Sequence, residues 1–191
     1  TAARPGLEPM FEARSVAVVG ASVKEGSLGH QMMVELLRGG YEGAIYPVNP
    51  GYAEILGHPC FSSIAEVPEA PDLAILGVAN HRVEQALADA VAAGARSAVT
   101  FSSLHEDDPE PDRPPLRDRL ATIARTAGIP LCGGNGMGFL NEDRQLRATG
   151  FATPDDMRHG CFGRRPVLLE QRGGDLRLFR FGRFTTRRCK G

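Results

Sequence analysis

The sequence lacks most of the features that point directly to a class of function. Its 191 residues include no tryptophan, and the four cysteines have neither C-x-x-C spacing nor that of a zinc site. No apolar run approaches the roughly 18 residues of a membrane span, and the first residues show no signal-peptide pattern. The net charge of −1 makes no general case for nucleic-acid or membrane binding. We therefore expect a cytoplasmic protein with free thiols and with neither a nucleic-acid nor a membrane partner.

Catalytic motifs are missing as well. The chain contains no H-E-x-x-H metal motif, no G-x-S-x-G nucleophile elbow and no Walker A lysine loop. His30 and His81 stand at predicted helix starts, and we interpret both as surface or packing residues. Cys132 follows an apolar strand, so a buried and unreactive thiol is expected. The sequence thus predicts no catalytic residue and no metal ligand.

The clearest positive signal is the stretch of residues 14–29, RSVAVVGASVKEGSLG. Its run of small and β-branched apolar residues from Ser15 to Val19 predicts a strand buried on both faces. A glycine-bearing loop follows and leads into a helix with apolar residues at helical spacing. Backbone N–H groups at a helix N-terminus attract anions, so we predict a phosphate site in this loop. An ordinary strand-to-helix turn is the alternative, because the loop does not read G-x-G-x-x-G.

Predicted strands and helices alternate through the first 140 residues. Further strands are expected at 44–48, 72–78, 97–101 and 129–132, and further helices at 81–93 and 116–127. This alternation is typical of an α/β fold, a Rossmann-like doubly wound parallel sheet of about five strands. Ligands bind such sheets beyond the carboxyl ends of the strands. We therefore expect one site where these loops meet: 20–29, 47–51, 78–81, 101–106 and 133–137.

The C-terminal segment differs from the rest in charge. From residue 144 onward there are 12 Lys and Arg against 4 Asp and Glu, whereas the preceding part has 10 against 19. A strand is predicted at 167–169, and the residues after it show no helical period. Residues 151–191 are expected to be either the start of a second α/β domain or a disordered basic tail. Because the chain begins with Thr, we also expect it to be a processed or excised piece.

Four stretches match a known family in its order: SVAVVGAS, GSLGHQMMVELLRGGYEGAIYPVNP, ILGHPCFSSIAEVPEAPDLAILGV and LCGGNGMGFLN. Over roughly residues 7–155 the chain resembles the coenzyme A-binding domain of NDP-forming acyl-CoA synthetases. These include ADP-forming acetate–CoA ligase and the related succinyl-CoA synthetase α subunit. The resemblance implies a CoA-binding domain at 1–150 and an incomplete second ligase domain after it. It also implies the family reaction, in which a carboxylic acid, CoA and ATP give acyl-CoA, ADP and phosphate.

The resemblance further implies that the 20–29 loop holds the phosphates of CoA, while the neighbouring strand ends line its nucleotide and pantetheine. The implied binding residues are Gly20, Ala21, Ser22, Gly26, Ser27, Leu28, Gly29, Pro47, Asn49, Pro50, Val78, Ala79, Asn80, Ser102 and Ser103. NAD-binding enzymes usually place an acid at the end of the second strand, and none stands there in this chain. Its absence suits the 3′-phosphorylated ribose of CoA, and it would serve NADP equally well.

The chain also departs from the family pattern. Gly134 stands where the family usually has proline, and Leu104-His105 stand where it has a Gly-Phe pair. No residue matches the motif of the family's phosphorylated histidine, and His159 is not assigned that role. ATP, ADP and Mg²⁺ would then act only through missing domains, an ATP-grasp domain or a β subunit, and we expect an oligomer. Two other hypotheses stay open: a stand-alone regulatory CoA-binding module, and an NAD(P)-binding oxidoreductase or redox sensor.

Overall fold

A computed structural model describes residues 6–106, 112–134 and 136–153, and the backbone of three strands at 167–172, 175–180 and 187–188. The first part of the chain forms α1 (Glu8–Phe11), β1 (Ser15–Val19), α2 (Leu28–Gly39), β2 (Ala44–Val48), β3 (Glu54–Ile55), β4 (His58–Pro59) and a 3-10 turn (Ile64–Glu66). There follow β5 (Leu73–Leu76), α3 (Asn80–Ala92), β6 (Ala98–Thr100), α4 (Leu116–Ala127), β7 (Leu131–Gly133), β8 (Phe139–Asn141) and β9 (Leu146–Ala148). The last strands are β10 (Val167–Arg172), β11 (Asp175–Arg180) and β12 (Arg187–Arg188). Within this described part of the chain, no helix has the length and apolar character needed to cross a membrane.

Five parallel strands form the main sheet, in the order β2-β1-β5-β6-β7. This confirms the predicted Rossmann-like α/β fold. The chain passes from β1 outward to β2 and then returns to place β5 on the other side of β1. Strand order therefore reverses at β1, and ligands of open α/β sheets bind beside such a reversal, beyond the carboxyl ends of the strands.

The main sheet is buried on both faces, and alternate residues of its strands face different helices. On one face, Val16, Val18, Leu73 and Ile75 belong to a buried cluster with Met32, Met33 and Leu36 of α2. On the other face, Ala17, Ala74, Leu76 and Ala98 belong to a second cluster with residues of α3 and α4. β1 is almost entirely apolar because helices cover both of its faces, as its composition predicted.

A second sheet is antiparallel, with the order β12-β11-β10-β8-β9. Its hairpin β8–β9 was not predicted. The buried side chain of Phe139 in β8 meets the ring of Phe11 edge to face, with ring centroids 4.8 Å apart. The predicted strand at 167–169 is confirmed as part of β10, where Leu168 pairs with Phe139. This sheet joins strands from both sides of residue 150, and the domain boundary placed there stays a prediction.

A buried ionic cluster fastens this hairpin to α2. The carboxylate of Glu35 is fully buried and accepts hydrogen bonds from Gln31 at 3.1 Å, Arg38 at 3.4 Å and the Thr153 hydroxyl at 2.5 Å. Arg147 of β9 lies 3.6 Å from the same carboxylate and donates to the Thr153 hydroxyl at 2.6 Å. A buried charge needs such partners, because its desolvation is not otherwise offset.

We expect Arg147→Met to lower the free energy of unfolding by about 2–3 kcal/mol. The variant leaves the buried Glu35 carboxylate with Arg38 and Gln31 but without its second guanidinium. The matched control is Arg144→Met, which removes an exposed ion pair with Glu12 and should cost about 0–1 kcal/mol. Urea denaturation of both variants measures the difference, and equal losses would contradict a stabilising role for the cluster.

Three glycines allow α2 to begin directly against the end of β1. A Cβ on Gly29 would lie 2.0 Å from the carbonyl oxygen of Gly20, and one on Gly20 would lie 2.5 Å from that of Gly77. Gly20 also has a φ of +87°, a left-handed conformation that favours glycine. A Cβ on Gly77 would meet the methyl group of Met32 at 2.1 Å. These positions have no room for a side chain, so helix and loop are in backbone contact.

The substitution Gly29→Ala tests this contact by the sign of its effect. Alanine in place of glycine inside an open helix stabilises it by about 1 kcal/mol. Here the added methyl group must push α2 away from the Gly20 carbonyl, and we expect a net loss of about 1–3 kcal/mol. Gly136→Ala is the control, because no atom lies within 4 Å of the added Cβ. Thermal and urea unfolding measure both variants, and a stabilised Gly29→Ala protein would refute the tight contact.

Candidate ligand-binding site

A cleft of about 750 Å³ opens where the order of the main sheet reverses. The ends of β1 and β2, the segment 62–65, Val78 after β5 and one side of α3 form its walls. Four of the predicted binding residues line it: Gly20, Asn49, Pro50 and Val78. The cleft therefore lies where the strand alternation places a ligand, and it is formed by loops from three different strands.

The 20–29 loop is held by its own side chains. The Ser27 hydroxyl caps α2: it accepts from the His30 N–H at 3.2 Å and donates to the Lys24 carbonyl at 2.6 Å. The Ser22 hydroxyl accepts from the Lys24 N–H at 3.0 Å. Among the described residues, none accepts a hydrogen bond from the N–H groups of Leu28 and Gly29. These two donors begin a helix beside Gly20, the arrangement that attracts anions.

Asn49 braces the end of β2 against this loop. Its side-chain amide donates to the Ala21 carbonyl at 2.7 Å, and its side-chain oxygen accepts from the Gly51 N–H at 2.9 Å. Both polar groups of the side chain are thus already bonded to backbone. Pro50 follows at the wall of the cleft, whereas Pro47 lies buried inside β2, paired with Val18, and does not line it.

The remaining predicted residues join the loop after β5 to the loop after β6. The Asn80 amide donates at 2.8 Å to both the Ser103 hydroxyl and the His105 carbonyl, and its side-chain oxygen accepts from the Leu104 N–H at 3.2 Å. The Ser102 hydroxyl donates to the Val78 carbonyl at 2.8 Å. Ala79 precedes α3 and is exposed. None of Ala79, Asn80, Ser102 or Ser103 is among the described residues that line the cleft.

Leu104 shows what the departure from the family pattern does to this loop. Its φ is +59°, a left-handed conformation that favours glycine, the residue that the family usually has there. The hydrogen bond from its N–H to the Asn80 side-chain oxygen holds it in place.

An ion pair lies at the end of the same loop. Arg119 binds Glu106 at 3.1 Å and Glu84 at 2.9 Å, and this guanidinium lowers the pKa of the Glu106 carboxyl. The pair of Glu106 with Arg119 therefore contributes fully to stability above the ordinary pKa of a glutamate. That contribution is lost as the pH falls through the lowered pKa of the folded state.

Sequence reasoning missed the α3 side of the cleft. Arg82, Gln85, Ala86 and Asp89 lie on this wall at positions i, i+3, i+4 and i+7 of the helix, beside His81. The spacing itself was visible in the sequence, because such residues share one face of a helix. Nothing in the local sequence, however, indicates that a cleft lies beside this face of the helix. His81, expected at the surface, is exposed at this wall.

Cysteines and acidic residues offer no further chemistry in the described part of the chain. Burial raises the pKa of the Cys132 thiol, and that of Cys60 is raised for the same reason, so both thiols are protonated at neutral pH. No group of three His, Cys, Asp or Glu among the described residues is arranged to hold a metal ion. His159 lies outside the described residues.

Comparison with known proteins matches both the fold and the cleft-bearing segment. Residues 14–142 fit a family model described as a CoA binding domain. The chain is 35% identical over 159 residues to the ADP-forming acetate–CoA ligase II of Archaeoglobus fulgidus, covering 83% of this chain and 23% of that protein. Over 180 residues it is 33% identical to the alpha subunit of the ADP-forming acetate–CoA ligase I of Pyrococcus furiosus, covering 92% and 37%. The chain thus spans less than two fifths of these relatives.

A solved structure agrees with these relatives. The dinucleotide-forming acetyl-coenzyme A synthetase 1 of Ca. Korarchaeum cryptofilum, solved with phosphate and ADP, superposes with a TM-score of 0.68 at 31% identity. The match covers 77% of this chain and 31% of that one. The family model covers residues 14–142, which contain the whole parallel sheet. The chain therefore belongs to the CoA-binding domain family and corresponds to the CoA-binding part of ADP-forming acyl-CoA synthetases.

Proposed function

We propose that this chain supplies the CoA site of an ADP-forming acyl-CoA synthetase and binds CoA with its phosphates at the 20–29 loop. One observation carries the proposal: the N-terminus of α2 is in backbone contact with the end of β1, beside the cleft at the point of strand reversal. The N–H groups of Leu28 and Gly29 supply donors for the pyrophosphate, and the exposed Gly26 leaves room for it.

The adenosine end of CoA occupies the cleft in this proposal. Pro50, Val78 and Ile64 provide apolar surface for a base, with Ser62 and Ser63 beside them. The end of β2 carries Asn49 where NAD-binding enzymes usually have an acid, and that side chain is committed to the backbone. The absence of a carboxylate at this position favours a phosphorylated ribose over that of NAD, since a negative charge there would repel the phosphate.

The chain's part in the reaction is positioning. CoA held by its nucleotide presents its thiol to an activated acyl group, and fixing that geometry is itself a large contribution to rate. ATP, ADP and Mg²⁺ act through an ATP-grasp domain or a β subunit, and the phosphorylated histidine also lies outside the matching residues. The subunit naming of the Pyrococcus furiosus relative supports an assembly of more than one chain. A cytoplasmic location and an oligomeric state remain predictions.

The phosphate site is tested by Gly26→Asp against Gly26→Asn. Gly26 has a φ of +76° and no atom within 4 Å of an added Cβ, and Asp and Asn tolerate this conformation similarly. The two variants differ in charge and hardly in shape. We expect the Asp variant to bind CoA about five- to tenfold more weakly than the Asn variant at low salt, with the gap narrowing as salt is added. Calorimetric titration measures both affinities, and identical titrations would place the phosphates elsewhere.

The second test asks whether the chain is catalytic alone. We expect the pure 191-residue protein to form no acyl-CoA above background from ATP, Mg²⁺, CoA and acetate or longer acids. The reason is that no residue matches the phosphohistidine motif and that the chain spans only part of its relatives. Product is followed by chromatography of the thioester. Turnover by the chain alone would refute the proposal that catalysis needs other domains, and His30 and His159 would then be tested as catalytic residues.

A further inference from the structure

The α3 wall of the cleft carries a guanidinium that binds no other side chain in the described part of the chain. Arg82 lines the cleft and is exposed. Its backbone N–H donates to the Ala79 carbonyl at 2.9 Å, but its guanidinium makes no hydrogen bond or ion pair with any described residue. The arginines nearby on α4 and in the preceding loop differ: Arg119 and Arg113 both bind Glu84. Arg82 is thus the only Lys or Arg among the described residues that line the cleft.

The charges around Arg82 leave it unneutralised. Glu84, two residues further along α3, is taken by the two arginines on the α4 side. Asp89 shares the cleft wall, but it lies seven residues away, about 10 Å along the helix, and accepts from Gln85 at 2.8 Å. Exposed charges at that separation are largely screened at physiological salt. The cleft therefore presents a guanidinium that no described residue neutralises.

We propose that Arg82 is a specificity residue that binds the 3′-phosphate of CoA. The inference rests on the proposed function, in which adenosine lies in the cleft with its pyrophosphate at the 20–29 loop. The end of β2, where a ribose is usually recognised, offers only Pro50 and the Asn49 side chain. Both polar groups of Asn49 are already hydrogen-bonded to the backbone. Recognition of the ribose phosphate then falls to the α3 wall. A guanidinium suits it, because its planar donors match two phosphate oxygens at once.

The experiment titrates wild type, Arg82→Gln and Arg82→Lys with CoA and with 3′-dephospho-CoA. We expect wild type to prefer CoA about five- to tenfold, and Arg82→Gln to lose that preference while its affinity for 3′-dephospho-CoA is unchanged. Arg82→Lys should keep part of the preference, since lysine retains the charge without the paired donors. Circular dichroism checks that the exposed substitutions leave the fold intact.

Arg125→Gln is the matched control. It removes the same charge from an exposed position on α4, where the side chain bonds only to Ala121 and Thr122 of its own helix among the described residues. We expect it to keep the preference of wild type. A loss of preference in this control would mean that overall charge, not Arg82, selects CoA, and would overturn the proposal.

The proposed CoA site and the proposed role of Arg82 are refuted by different results. If wild type binds neither CoA nor 3′-dephospho-CoA, the proposed CoA site itself is refuted. If wild type and Arg82→Gln each bind CoA and 3′-dephospho-CoA with the same affinity, the CoA site stands and the role of Arg82 is refuted. A loss of affinity for both ligands in Arg82→Gln would also refute the 3′-phosphate contact, because it would assign Arg82 to a part that the ligands share.

Discussion

The backbone contact between Gly29 and the Gly20 carbonyl is the constraint on which the ligand-binding end of the fold depends. With no side chain between them, α2 starts where β1 ends, and its first N–H groups lie beside Gly20, a residue of the cleft wall. Gly77 extends the same constraint to the neighbouring strand end, where Met32 of α2 fills the space that a side chain would need. Helix, loop and two strand ends therefore hold one another in position.

The polar side chains of the loops serve mainly to hold the loops. Ser22 and Ser27 organise the 20–29 loop, Asn49 ties it to β2, and Asn80 ties α3 to the loop after β6. In the proposed function, CoA is therefore bound by groups that these bonds leave available: backbone N–H groups, the apolar surface of Pro50 and Val78, and the α3 wall. A rigid frame of this kind is what a positioning role requires, because it orders the site before the ligand arrives.

The sequence predicted the parts of this molecule that are governed by local pattern. Strand composition, helical spacing and terminal glycines located the main sheet and its helices, because burial on both faces and helix termination leave signals within a few residues. The hairpin β8–β9 escaped, since its strands are three residues each and its burial depends on Phe11, far away in the chain. Glu35 escaped for a related reason. A glutamate on a helix carries no local signal of burial, and the partners that bury it, Arg147 and Thr153, lie more than 100 residues away in the chain. The α3 wall likewise could not be recognised from the sequence, because the cleft beside it is formed together with the 62–65 segment and the ends of β1 and β2.

The Glu35 cluster gives α2 a second attachment point, and this has a mechanical consequence. Glu35 lies seven residues from Leu28, about 10 Å along the helix from its first N–H groups. A regular helix of this length behaves as a stiff rod, held at one end by the strand ends and near the other by β9 and Thr153. Held at both points, the helix cannot tilt at its N-terminus without disturbing the buried bonds of Glu35. The cluster therefore stiffens the far end of the fold on behalf of the first turn of α2, which stays in register with the Gly20 carbonyl.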